Sequence, residues 1–380
     1  MSTPKQIIQM LNVLIPLRHS VYMWGAPGVG KSEVLGQVGV MLNRKVYDLR
    51  ANLLDPVDVR GVPYVQYWNN FIQNVLSDAV ASKQVSKNPW MMIEIFLKHI
   101  NILSKTNGTK SHWAIPGFLP KEEDGPSILG LDELNTAPPL TQNAFLQITI
   151  KPYRLGEYEL PPFCSVVACG NRLADRVHAF RMSSALSDRF FHIDFDPDLD
   201  DWVEWAMSNG VVPELIGFLR ARTNLLHNFD PSKNERSFPT PRGWVMVSDV
   251  CKTGAIRSLD GNIDKKNTEF DLISGKVGDG PAYEFITFLK TFRKLPDLKE
   301  VLRHPDKADV PEDPDMLYAI CGALASKASK QTIDAIVTYA ERLRKEFSVL
   351  LIMDSVRKDK GVTYTPAFTR WASNNAEVII

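Results

Sequence analysis

Gly25-Ala26-Pro27-Gly28-Val29-Gly30-Lys31-Ser32 is the stretch on which the reading of this chain turns. It fits the pattern G-x-x-x-x-G-K-[ST]. The glycines let the backbone curl until its N–H groups converge on phosphate oxygens, and the helix that follows adds its positive N-terminal end. In such a loop Lys31 reaches the β- and γ-phosphates and the Ser32 hydroxyl reaches Mg²⁺. The motif needs a strand before it and a helix after it. Ser20-Val21-Tyr22-Met23-Trp24 supplies an apolar strand, and Val34, Leu35, Val38, Met41 and Leu42 recur at helical spacing.

Strand and helix signals continue to alternate up to about Pro197, which predicts a parallel α/β sheet flanked by helices. Lys45–Leu49 reads as the second strand, Ser127–Leu131 as a doubly buried third and Ser165–Cys169 as a fourth. Phe190–Asp196 alternates apolar Phe191, Ile193 and Phe195 with polar residues, as expected of a fifth strand near an edge. Between strands two and three, Phe71–Val85 and Trp90–Leu103 look helical and suggest a helical insertion over about 64–125. Beyond Pro197 the pattern is helical. Asp260–Gly280 reads as a surface loop, Pro305–Pro314 as a break, and Thr332–Val356 as one amphipathic helix. The expected division is an α/β core over 1–197 and a helical lid with a C-terminal helical extension over 198–380.

Asp132 and Glu133 close the third strand. Acids at the end of a buried strand are costly unless they have work to do. Beside the glycine loop, Asp132 is the expected holder of Mg²⁺ through its water shell, and Glu133 the expected base for the attacking water. Asn171 closes the fourth strand. If the third and fourth strands flank the first, its amide faces the γ-phosphate and could hold that water, although an asparagine in a turn after a strand explains the spacing equally well. Arg189 lies just before the fifth strand, suited to reach a neighbouring subunit's nucleotide. Arg242 begins the second region and could fold back on the phosphates. On residue type alone, a surface salt bridge accounts for either arginine.

Lys plus Arg and Asp plus Glu both number 44, so the chain carries no overall basic footprint for nucleic acid. No apolar run approaches the ~20 residues that span a bilayer. Met1–Gln6 lacks a signal-peptide pattern, and the four cysteines form no C-x-x-C pair. Reduced thiols in a cytoplasmic protein are the expectation.

Taken together, these segments resemble the MoxR-like branch of the AAA+ ATPases. The resemblance rests on GAPGVGKS at 25–32, DLRANLLDPVDVRGVP at 48–63, ILGLDELNTAPPLTQNAFLQ at 128–147, CGNR at 169–172, ALSDRF at 185–190 and FPTPR at 238–242. It implies a P-loop AAA+ core that hydrolyses ATP with Mg²⁺. Asn171 is then sensor 1, Arg189 the arginine finger and Arg242 sensor 2. It also implies a homo-oligomeric, hexameric ring, a partner with a von Willebrand factor A domain, and a client protein to be remodelled. Lys151–Pro162 matches the family's hairpin before sensor 1, with Gly156-Glu157 as its turn; Leu155, Tyr158 and Leu160 among charges suit a client-contacting surface, the alternative being that they pack against the domain. The segment 64–125 and the region after about 250 are longer than the family's compact form. The alternatives are a nucleic-acid-associated AAA+ motor and an AAA+ GTPase of restriction-system type; the guanine-reading N-K-x-D motif is absent.

Overall fold

A computed structural model describes residues 1–61, 63–65, 111–156, 158–175, 179–233, 235–253 and 265–379. The strands among them, in chain order, are β1 (Val21–Trp24), β2 (Lys45–Arg50), β3 (Pro63–Val65), β4 (Ser111–Trp113), β5 (Ser127–Asp132), β6 (Arg154–Leu155), β7 (Tyr158–Glu159), β8 (Cys164–Gly170) and β9 (Phe191–Asp194). Five of them form one parallel sheet in the order β2-β5-β8-β1-β9. The chain is thus an α/β protein with a parallel sheet flanked by helices, followed by a helical C-terminal region.

This order corrects one expectation. The third strand does not flank the first; β8 lies between them, and β9 holds the first strand's other side. All seven residues of β8 are buried, which suits a strand covered on both faces. At the sheet edge β9 has the expected alternation only in part. Ile193 and the following Phe195 are buried, but Phe191 is 50% exposed, its ring tilted against His19 at 5.1 Å.

Two apolar layers cover the sheet. On one face, helix Pro4–Leu14 brings Ile7 and Leu11, and helix Lys31–Met41 brings Val34, Leu35 and Val38, onto Val21, Met23, Ile128 and Val167. The first helix opens with a capping box between Thr3 and Gln6 and with Pro4 in its first turn, which satisfies otherwise orphaned N–H groups. On the other face Tyr22, Leu129, Leu131 and Val166 pack with Phe145, Ile148 and Leu186.

Of the long stretch between β2 and β5, β3 and β4 form an antiparallel pair, Pro63↔Trp113 to Val65↔Ser111. The predicted helices Phe71–Val85 and Trp90–Leu103 lie outside the described residues. The hairpin before β8 is present as β6 and β7, turning at Gly156 with φ 60°. Its side chains do not form the expected client surface. Leu155 and Leu160 are buried in the core under β5 and β8, and the Tyr158 hydroxyl donates to the Pro120 carbonyl. With only two residue pairs in its ladder, this hairpin is held by that packing.

Two expectations fail in the helical region. The Asp260–Gly280 loop contains the helix Lys265–Val277; Phe270, Ile273 and Val277 fall on one face and pack inward amid polar neighbours, and Gly278 at φ 89° ends it. The single helix over Thr332–Val356 is two, Ile333–Ala340 and Lys345–Lys358. Arg344 is extended (φ −57°, ψ 148°), and the bend allows Leu343 and Phe347 to enter one core, an outcome of tertiary packing that outweighs propensity.

A first helical core centres on Trp244, whose ring meets Phe218 at 5.5 Å and Phe285 at 5.7 Å and whose indole N–H donates to Leu225 O at 2.6 Å. A second, around Tyr339, Leu351 and Trp371, is joined to the first through Arg220. Its guanidinium donates to the buried Asp354 at 2.5 Å, and Arg357 reaches the same carboxylate at 2.9 Å. Among the described residues no helix is long and apolar enough to cross a membrane.

Candidate phosphate-binding site

The loop Gly25–Ser32 leaves the end of β1 and enters the helix Lys31–Met41. Gly28 (φ 75°) and Gly30 (φ 106°) adopt left-handed backbone that a side chain resists, and Gly30 caps the helix. Gly28 is also a close approach, since a methyl there would meet Thr240 Oγ1 at 2.8 Å. The Arg242 N–H donates to the Gly28 carbonyl at 3.2 Å, so the start of helix Pro241–Lys252 is fastened to the loop.

Lys31 is buried. Its ammonium donates to the carbonyls of Gly25 (2.8 Å) and Ala26 (3.1 Å) and to Asn171 Oδ1 (3.2 Å). Burial pushes its pKa below the ordinary lysine value, opposed by the nearby Asp132. The Ser32 hydroxyl donates to Asp132 Oδ2 at 3.2 Å, and Asp132 Oδ1 accepts from the Glu133 N–H at 3.0 Å. Two hard oxygen donors thus stand together at the mouth of the loop, a donor set suited to Mg²⁺, which takes few protein ligands beside phosphate oxygens. Among the described residues no group of three or more His, Cys, Asp or Glu side chains could hold a metal by itself.

Glu133 has φ 54° and ψ 34°, an uncommon conformation for a residue with a side chain. Thr136 Oγ1 donates to its carbonyl at 2.8 Å, and Asn52 Nδ2 donates to its Oε2 at 2.5 Å. Backbone strain of this kind costs about 1–3 kcal/mol and clusters at working sites. Asn171, 7% exposed, is held through its backbone by the Asn135 carboxamide.

The chain therefore brings together the loop, Asp132, Asn171 and the Arg242 backbone, with Glu133 next to Asp132 and its carboxylate bonded to Asn52. Arg189 stands apart, its guanidinium donating to the Leu146 carbonyl. Beside the loop opens a cleft of about 780 Å³, walled by Val29, Glu33 and Phe195 on one side and by Trp202, Trp205 and Met246 of the helical region on the other. The exposed Arg242 also lines it. Trp205 Nε1 donates to Glu33 Oε1 at 3.0 Å, bridging the two walls. Trp205 carries no local signal in the sequence; Asn52, Asn135 and Thr240 lie inside the stretches 48–63, 128–147 and 238–242, but nothing there assigns them a role.

No family model and no curated protein matches the chain. It is similar to a solved structure of a RuvB mutant from Thermotoga maritima at 12% identity, with 83% of this chain and 78% of that one covered and a TM-score of 0.32. It is also similar to NtrX from Brucella abortus in complex with ADP, at 13% identity, with 98% and 68% covered and a TM-score of 0.36. A likeness this distant leaves the assignment to the geometry of the chain itself.

Proposed function

We propose that this chain is a P-loop ATPase of the AAA+ class, of the MoxR-like kind, with Mg²⁺ as its metal and a protein partner as its object. The observation that carries the reading is the pairing of Ser32 with Asp132 at the mouth of a glycine loop whose lysine already contacts Asn171, with Glu133 the residue that follows Asp132. A structural loop has no need of that set.

In this reading the loop N–H groups bind the phosphates. Lys31 exchanges its carbonyl contacts for the β- and γ-oxygens. Ser32 and Asp132, the latter through the ion's water shell, would hold Mg²⁺, which would supply charge to neutralise the phosphates. Asn171 positions the attacking water, and Glu133 accepts its proton at the carboxylate. The purine lies in the cleft between the α/β core and the helical region, read as units over 1–197 and 198–380, and Arg242 approaches the phosphates from the helical side. Arg189 acts on a neighbouring subunit's nucleotide, which makes a homo-oligomer, hexameric by the family resemblance, the working form. A cytoplasmic setting and a von Willebrand factor A partner belong to the same reading.

The test is hydrolysis by the unmodified chain, Glu133→Gln and Lys31→Ala, with ATP and GTP, with Mg²⁺ and with chelator. Glu133→Gln should bind ATP normally and turn over at least about a hundredfold more slowly, the scale of a lost general base. Lys31→Ala should lose binding. Parental turnover by Glu133→Gln would refute the assignment, and a preference for GTP would move the chain to the GTPase alternative.

A further inference from the structure

Asn135 is a wholly buried polar side chain at the join of three functional segments. Its carboxamide pairs twice with the backbone of Asn171, donating from Nδ2 to the carbonyl at 2.7 Å and accepting at Oδ1 from the N–H at 3.2 Å. Its own carbonyl accepts from the Phe180 N–H at 2.7 Å, on the segment that runs on towards Arg189. Its backbone belongs to the turn Leu134–Thr136 that begins at the strained Glu133. Gly170 makes the approach possible. A methyl there would stand 2.3 Å from Asn135 Oδ1 and 2.0 Å from the Tyr22 hydroxyl.

A buried carboxamide must satisfy its donors and acceptor, and many positions would serve that end. Here both partners lie on the one residue whose side chain accepts from Lys31. Moving Asn171 by a fraction of an ångström breaks a pair of bonds to Asn135 or drags the Glu133 turn along. We propose that Asn135 is a positioning residue that couples Asn171 to Glu133, so that detection of the γ-phosphate and placement of the base change together. This rests on the hydrolase reading above. Asn135 acts in this proposal through the Asn171 backbone and not on the nucleotide directly.

The test uses the full chain, with Asn135→Asp and Asn135→Ala. The aspartate keeps the shape and an acceptor but loses the donor. ADP affinity should stay within about threefold in both, while kcat falls about tenfold or more and the preference for a non-hydrolysable ATP analogue over ADP falls by a similar factor, within the usual range of coupling energies. Combined with Asn171→Ala, the losses should not multiply, as expected of two residues acting as a unit. Unchanged kcat and analogue preference in folded variants, or losses that multiply, would overturn the proposal. Hydrogen exchange on the unmodified chain gives a reading that needs no variant. Leu134–Thr136 and Asn171–Arg172 should gain protection together with the analogue and not with ADP; protection of one without the other refutes the coupling. Absence of turnover in the unmodified chain would refute the hydrolase reading instead, and analogue preference and exchange would still report on Asn135.

Discussion

Asn52 Nδ2 donates to Glu133 Oε2 at 2.5 Å, across 81 residues of sequence. Asn52 follows β2 at one edge of the sheet, and the P-loop follows β1, with β5 and β8 between them. The bond therefore draws the carboxylate away from the loop.

Asn52→Ala should accordingly raise basal hydrolysis several-fold, about the factor expected from one lost hydrogen bond of roughly 1 kcal/mol. ADP affinity should not change, because the loop and the Ser32–Asp132 pair are untouched. Steady-state turnover and ADP titration of the variant check both points. A rate equal to or below the parent's would show that Asn52 orients Glu133 productively instead of restraining it.

The hairpin yields a prediction about stability. Leu155 is 2% exposed and packs in the core that supports β5 and β8. Leu155→Ala should cost about 2–5 kcal/mol, the range for a large-to-small change in a core. Chemical denaturation of the variant measures this directly. A loss below about 1 kcal/mol would return the side chain to the surface and revive its role in contacting a client.

These cases mark where the sequence is readable. The residues of the loop lie within eight consecutive positions, so the spacing alone is enough to predict the turn and the helix that follows it. Asp132 and Glu133 are readable because an acid after an apolar strand stands out. Asn52, Trp205 and Thr240 meet partners far along the chain, so no local pattern reveals what they touch. Strand order is hidden for the same reason: β5 and β8 have equally buried compositions, and only packing decides which one lies beside β1. The helix Lys265–Val277 was obscured by its polar content, and the bend at Arg344 has no glycine or proline to announce it.

A buried ion pair joins the two helical cores. Asp354 is 1% exposed and accepts from both Arg220 and Arg357; the Arg220 side chain is only 10% exposed. Asp354→Asn removes the buried carboxylate and should cost about 3 kcal/mol, the lower end for breaking such a pair because both Arg220 (3.7 Å) and Arg357 (3.6 Å) already reach the exposed Asp200. Replacing both partners, Arg220→Met with Asp354→Leu, should recover most of the loss, since the desolvation penalty goes with the charges. Urea unfolding of the three proteins tests this. A double variant less stable than Asp354→Asn would show that the pair adds net stability of its own.

Arg189 carries the prediction about assembly. Its guanidinium donates to the Leu146 carbonyl and makes no hydrogen bond to its own loop. Among the described residues the guanidinium has no ion-pair partner, so it is held in place by Leu146 and keeps its charge for an anion brought by another molecule. If it serves a neighbouring subunit, Arg189→Ala should bind ATP as the parent does and hydrolyse it about a thousandfold more slowly, the scale of a lost arginine finger. Lys31→Ala fails for the opposite reason, since it keeps the finger and loses the nucleotide. Mixed in equal amounts, the two inactive proteins create some interfaces with an intact loop on one side and an intact Arg189 on the other. Activity should then reappear, and it should rise with total protein concentration as subunits associate. Full activity in Arg189→Ala alone, or a mixture as inactive as its components at concentrations where the parent is assembled, would confine Arg189 to its contact with Leu146.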